Sequence, residues 1–370
     1  MIRAISLRLL AGIVLASACF MLPAVAHEHM DIEYAQGMPL ATESMLLDIT
    51  RAGNTLVAVG ERGHVVTSTD GENWTQAEHV PTRSTLTTVF SIGDRVWAAG
   101  HDAVIITSAD RGRNWSRLYY DPERNQAVMD IYFSDKDNGI AMGSYGLYLF
   151  TSDGGRTWEE KMVDPESDYH LNSLLDLGDG KWLIAGEAGL SYRSYDYGET
   201  WELIDLPYLG SMWGALKTAD DCVLFYGVRG HVLESCDAGL SWEEVPTGSE
   251  SSISGAARFE ELIVLGANSG TLLIRDDSSN FRVYQHSSGV DFSAVISLGD
   301  GQFLLTGEDG VHRYPEAVEE EEADEGLGTH DASQDSHLPD QQPLRHRSPV
   351  HIDHHRHDLL HVEFAYRNRF

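Results

Sequence analysis

At 370 residues the chain has room for two average domains or for one large all-β unit. Hydrophobic residues at 42% allow a globular core, and 35 glycines among short apolar runs point to many short strands and tight turns. With 26 basic against 58 acidic residues, a formal net charge of −32, the chain lacks the basic footprint of a nucleic-acid binder, and that class is excluded.

The first 26 residues have the layout of a signal peptide. Arg3 and Arg8 give the positive start, Leu9 to Leu22 is apolar, and Ala24-Val25-Ala26 is a small-x-small cleavage site before His27. The apolar run is short for a spanning helix. A competing layout uses Cys19, after Ala16-Ser17-Ala18, as a lipoprotein acylation site. It fits less well, because Ala16 stands where a larger aliphatic is usual and an apolar stretch continues past the cysteine. The mature protein, from residue 27, is expected to be soluble and periplasmic.

From about residue 40 the chain repeats. A glycine closes an apolar run seven times, at Gly60, Gly100, Gly143, Gly186, Gly227, Gly266 and Gly307, at intervals of 39 to 43 residues. A second glycine follows three positions on at Gly63, Gly146, Gly189, Gly230 and Gly310; Ala103 replaces it once, and Gly270 sits one residue late. This spacing predicts two-residue hairpin loops with unusual backbone angles. In phase with it runs S/T-x-D-x-G-x-x-W: Ser108-Asp110-Gly112-Trp115, Thr151-Asp153-Gly155-Trp158, Ser194-Asp196-Gly198-Trp201 and Ser235-Asp237-Gly239-Trp242. Ser68-Asp70-Trp74 is one residue shorter, and Asp276 to Phe281 is a decayed copy. This is the Asp box, or bacterial neuraminidase repeat. Its carboxylate accepts backbone N–H groups across a turn and its aromatic packs into the sheet. Recurrence favours a structural role for these aspartates, since one catalyst is not needed six times.

About 40 residues per four short strands is the signature of a propeller blade. The third unit shows the pattern, with strands expected at Val128–Phe133, Gly139–Met142, Tyr148–Thr151 and Trp158–Met162. The seventh has three, over Phe292–Leu298, Gln302–Thr306 and Val311–Tyr314, and stops at Pro315. The fold expected is all-β: a seven-bladed β-propeller over residues 27–315, in which the segment Asp31–Leu40 supplies the missing strand and closes the ring, removing exposed edges. In the fifth unit, Cys222 and Cys236 end two strands in a register that sets them nearly opposite. Such neighbours are within disulfide reach; the alternative is a pair of buried free thiols.

After Pro315 the composition changes. Glu316 to Glu325 holds seven acidic residues in ten positions, and the remainder to Phe370 is polar and histidine-rich. Such a stretch buries too little apolar surface to offset its ordering entropy, so residues 316–370 are expected to be a disordered tail. His351, His354, His355, His357 and His361, with Asp353 and Asp358, offer loose metal capture at most, because a fixed ligand set is missing. Neither a metal nor a cofactor is expected.

With seven units, most carrying the aspartate motif, the chain resembles the photosystem II assembly/stability factor family of seven-bladed propellers, over roughly residues 40 to 315. The segments Val80-Pro81-Thr82-Arg83, Leu86-Thr87-Thr88-Val89, Gly100-His101-Asp102-Ala103, Asp121-Pro122-Glu123 and Gly186-Glu187-Ala188-Gly189 are similar to its bacterial exported branch. The resemblance implies a scaffold or assembly role for a membrane complex such as an exporter, with a protein partner and no chemistry of its own.

Sialidases share the repeat and are the enzyme class to weigh. They need three arginines, a tyrosine nucleophile with glutamate, and an aspartic acid/base. Arg62, Arg83, Arg124 and Arg229, with Tyr120, Tyr145 and Tyr208, are candidates, but no arginine precedes Ile-Pro or Leu-Pro, and no motif fixes any of them. His101-Asp102 resembles half of a catalytic pair, yet adjacent side chains of a turn diverge and no nucleophile is placed beside them. Glycoside hydrolysis is the competing function. The favoured one is binding by the face that gathers the second-to-third-strand turns and the blade-to-blade connections: Arg62, Arg83, His101, Asp102, Tyr120, Asp121, Tyr145, His170, Glu187, Tyr208 and Arg229. Loops on a rigid scaffold are where function concentrates. The protein is expected to be monomeric and not inserted in the membrane after cleavage.

Overall fold

The computed structural model describes residues 32–276 and 280–316. The expected signal segment and histidine-rich tail lie outside the described residues. Antiparallel sheets follow one another along the chain, six of four strands and one of three, and no α-helix occurs among the described residues. They form the seven blades of a β-propeller. Blade 3 has strands Val128–Phe133, Gly139–Gly143, Tyr148–Thr151 and Glu159–Glu160, close to the sequence expectation. The second strands are the heart of each blade: in Thr55–Gly60, Gly139–Gly143 and Val223–Gly227 every residue is buried. Such uninterrupted burial explains why the repeats are seen first as apolar runs rather than as alternation.

Neighbouring blades bury their side chains against one another. Trp97 of blade 2 stacks on Phe133 of blade 3 at 3.9 Å, and Trp242 stacks on Phe225 within blade 5 at 4.3 Å. The aspartate turns work as the sequence suggested. In each, the Ser or Thr hydroxyl donates to the carboxylate and accepts a glycine N–H, as Thr151 does with Asp153 (3.0 Å) and Gly155 (2.9 Å). Asp153 also accepts the N–H of Thr157 at 2.9 Å and its hydroxyl at 2.7 Å. Asp70, Asp110, Asp196 and Asp237 repeat this pattern. Donors converging on one carboxylate favour its charged form: the N–H and hydroxyl of Thr157 hold Asp153 at about 2. Trp74, Trp115 and Trp242 donate their indole N–H to the glycine carbonyl of the same turn, at 2.8 to 3.3 Å. Trp158 and Trp201 pack instead on Phe133 and Tyr148.

The innermost strands carry a bulge near their start, as between Leu46 and Asp48 and between Leu171 and Ser173. The bulge turns polar side chains sideways into the next blade. Asp48 accepts Val89 N–H (2.7 Å), Thr87 donates to Val128 O (2.5 Å) and Asp130 accepts Leu174 N–H (2.8 Å). Asn172 donates to Met212 O and Ser254 to Phe292 O, both at 2.8 Å. Five of the seven blade junctions are thus latched around a central channel, which encloses a cavity of about 200 Å³.

Ring closure differs from the expectation. The sheet of blade 7, Phe292–Gly299, Gln302–Gly307 and Gly310–Tyr314, gains no fourth strand from the N-terminal segment. That segment follows the outer side of blade 1 instead: Ala35 N–H donates to Val80 O at 2.9 Å, and Met38 N–H to the Gln76 side chain at 2.8 Å. Blade 7 meets blade 1 through a shared core of Leu46, Ile49, Leu56, Ala294 and Leu304. At its outer edge the Nε2–H of buried His286 donates to Arg313 O at 3.1 Å, while Nδ1 accepts Ser288 N–H. A side chain from the blade 6 connection therefore occupies part of the position a strand would take. Cys222 and Cys236 form a disulfide, Cα atoms 4.1 Å apart, tying the first turn of blade 5 to its aspartate turn.

Candidate partner-binding face

The turns between second and third strands were expected to have two-residue loops. Only blade 7 does, with Glu308 and Asp309 between the paired Gly307 and Gly310. Five blades use a three-residue helical turn, as at Glu61–Gly63, and its last two residues are left-handed (Arg62 φ 56°, Gly63 φ 71°). Gly63 is needed twice over, because a Cβ there would also lie 2.3 Å from Thr82 O. The middle residue takes the same conformation at Asp102, Tyr145, Ala188, Arg229 and Ser269. A left-handed arginine or tyrosine is ordinarily worth reading as functional strain. Here the conformation recurs whatever the residue, so it belongs to the turn, and function resides in which side chain the turn holds up.

Four of the residues predicted for this face stand largely in solvent. Arg62 is 68% exposed and only 3.8 Å from Glu61; Arg83 is half-exposed beside Glu33 at 3.5 Å. Tyr145 is 57% exposed, and Arg229 is exposed with no ion pair among the described residues. The others are engaged within the protein. Asp102 accepts the Ser84 hydroxyl on one carboxylate oxygen at 2.6 Å. His101 donates its backbone N–H to Thr85 O at 2.9 Å. Asp121 holds Arg124 at 3.1 Å, and that guanidinium also grips Glu160. Tyr120 packs on the core between blades 1 and 2, with Arg117 4.7 Å above its ring. His170 is buried under Tyr145 (ring centroids 5.0 Å), with Nδ1 3.5 Å from Glu187, and desolvation keeps its pKa below the ordinary histidine value. Tyr208 stacks on His231 at 3.7 Å, and His231 Nδ1 lies 2.7 Å from Glu244.

The structure adds residues that the sequence did not single out. Tyr169 and Leu209 are exposed in the connections leading into blades 4 and 5, and Glu166 and Asp168 are exposed beside Tyr169. The one available signal was the bracketing of Leu209 by Pro207 and Gly210, a turn that leaves an apolar side chain nowhere to go. Asp48 and Asp130 in the channel were hidden inside apolar strands. Among the described residues no group of three or more His, Cys, Asp or Glu side chains is placed to hold a metal ion.

Residues 121–258, spanning blades 3 to 5, match the sequence model of the family described as photosynthesis system II assembly factor YCF48. The match covers 138 of the 370 residues, so the likeness to photosystem II assembly factors is one of sequence over this stretch and of fold over the propeller. A solved structure of YCF48 from Cyanidioschyzon merolae is 19% identical, with a TM-score of 0.61, covering 76% of this chain and 97% of that one. A structure of YCF48 bound to a D1 peptide is 18% identical, with a TM-score of 0.59 and the same coverage. A glycoside hydrolase propeller of Niastella koreensis, GH74, is 12% identical with a TM-score of 0.59, covering 77% of this chain and 53% of that one; the likeness is one of fold. No curated protein sequence matches the chain. The residues matched by the family model include the turns and connections that present Tyr145, Tyr169, Leu209 and Arg229.

Proposed function

We propose that this propeller is a non-catalytic assembly or stability factor of the periplasm, and that it binds a protein segment of a membrane complex, such as an exporter, on its loop face. The observation that carries the reading is the family match over residues 121–258, because a relative of that family is described as bound to a peptide. Three further features support it. The recurring aspartates are engaged in the turns they close, so their abundance does not argue for acid–base chemistry. Asp102 Oδ2 accepts the Ser84 hydroxyl, and no sequence motif places a nucleophile beside the His101-Asp102 turn. A disulfide between Cys222 and Cys236 fits an oxidising compartment, where the signal sequence would deliver the chain.

Affinity capture from the cell envelope, with the mature chain as bait, tests this reading. One membrane complex should be recovered reproducibly. The triple substitution Arg83→Ala, Tyr145→Ala, Arg229→Ala should reduce its recovery at least tenfold while leaving the circular dichroism spectrum unchanged. A screen on sialosides, xyloglucan and other glycosides should stay at background. Turnover above background, abolished by loop-face substitutions, would overturn the assignment.

A further inference from the structure

Large apolar side chains scattered singly over a surface need no explanation, whereas a contiguous group marks a contact site. On the loop face, the turns and connections of blades 3 to 5 hold Tyr145 (57% exposed), Tyr169 (45%) and Leu209 (83%) in water. The loops that carry them touch one another. Gly146 N–H donates to Tyr169 O at 3.1 Å, and Glu187 N–H to His170 O at 3.0 Å. A Cβ on Gly189 would lie 2.9 Å from the Leu209 Cα. The loops that carry the three side chains are therefore successive neighbours around the ring.

Its relief follows from the repeat. The turn tips of blades 3, 4 and 5 share one backbone conformation, with φ of 54°, 55° and 56°, so their heights differ by side chain alone. Tyr145 and Arg229 are long and Ala188 between them is short. The result is a step at blade 4, bounded by the Tyr145 ring on one side and floored beside Leu209. Its sign of charge is also set. Glu166 and Asp168 are exposed on the connection that carries Tyr169, and neither is ion-paired among the described residues. Arg229, exposed on the blade 5 turn, supplies a cation at the far side of the step.

We infer that this step seats a linear segment of the partner in which large apolar side chains alternate with lysine or arginine, the apolar ones packing against Leu209 and Tyr145 and the basic ones facing Glu166 and Asp168. The inference rests on the loop face being the binding face, and it adds the chemistry of what is bound. Apolar anchors in the step would supply the affinity, and the carboxylates the orientation and the rejection of acidic segments.

The test uses three labelled twelve-residue peptides and fluorescence anisotropy with the full mature chain. One alternates lysine with leucine and tryptophan, one replaces lysine by glutamate, and one replaces the apolar residues by serine. The first should bind at least tenfold more tightly than the other two, and more weakly as salt rises. Leu209→Ser and the pair Glu166→Lys, Asp168→Lys should each weaken it at least fivefold, whereas Leu240→Ser, exposed on the opposite face, should leave it unchanged. Because these side chains are exposed, both variants should melt as the wild type does. Equal binding of all three peptides, or wild-type affinity in both variants, overturns the inference. If that happens while envelope capture still depends on Arg83, Tyr145 and Arg229, the loop face stands and only the basic, apolar character of its partner is lost.

Discussion

The aspartates of this chain fall into two chemical populations that the residue type alone does not separate. Those in the turns, such as Asp153 and Asp237, accept several N–H and O–H donors and are held at about 2. Asp48 and Asp130 line the channel, where loss of solvent outweighs the backbone N–H groups they accept and pushes them up to about 7 and about 6. Each channel carboxylate also feels Thr88 between them, and Asp48 feels the charge of Asp130. The consequences for stability have opposite signs. A carboxyl group raised in the folded state binds its proton more tightly there than in the unfolded chain. Its contribution is complete below about 4 and is lost as pH rises to about 7. The turn aspartates act only in the acid range, where their contribution fades between about 4 and 2. The thermal midpoint should therefore fall between pH 5 and pH 8, and Asp48→Asn, which keeps an oxygen for Val89 N–H, should flatten that fall and raise the midpoint at pH 8 by roughly 3 °C. A midpoint of Asp48→Asn that parallels the wild type across this range would show that the channel carboxylates do not titrate there. Nothing in the sequence marked these two residues, because each stands between apolar neighbours, Leu47 and Ile49 or Met129 and Ile131, and becomes special only when a bulge turns it towards the neighbouring blade.

At the scale of the element, what repeats was legible and what occurs once was not. Seven glycine-phased units predicted seven blades, and the limits of the first three strands of blade 3 agree with the expected ones almost residue by residue, while the fourth, expected over Trp158–Met162, is only Glu159–Glu160. Loop length at the turns was misjudged because the extra residue lies inside G-x-x-G, where a two-residue and a three-residue turn share one spelling. Ring closure was misjudged because its contacts join residues more than 200 positions apart and have no counterpart elsewhere in the chain. The last blade stays three-stranded, with its edge partly capped by His286. His286→Ala would leave the Arg313 carbonyl without that partner, at a cost of about 1–3 kcal/mol. Hydrogen exchange over residues 303–314 should then accelerate at least fivefold, while the second strand of blade 3 exchanges as before. Uniform acceleration in both blades would mean that His286 supports the whole fold rather than the closing edge. The face of the propeller was foreseen in the same way: Arg62, Tyr145 and Arg229 occupy a position set by the repeat, whereas Tyr169 and Leu209 lie in connections of irregular length and sequence.

Across the whole molecule the two faces differ in what they leave for others. On one, aspartate turns consume their polar groups in closing the blades. On the other, rigid turns lift unlike side chains from like backbones, and on blades 3 to 5 that display falls within the residues matched by the family model, 121–258. The strongly negative chain would draw a basic partner over distances of a Debye length, about 8 Å at physiological salt, and leave recognition to contact. The proposed function places partner contact on the loop face, and not in the channel or on the aspartate turns. Site-specific photo-crosslinking in the intact envelope tests that assertion most directly. A benzophenone side chain would be placed in turn at Tyr145 and Leu209 on the loop face and at Arg156 and Leu240 on the opposite face, all exposed positions. The account predicts one membrane-protein adduct from Tyr145 and Leu209 and none from Arg156 or Leu240. The same adduct from Arg156 and Leu240, with none from the loop face, would contradict it.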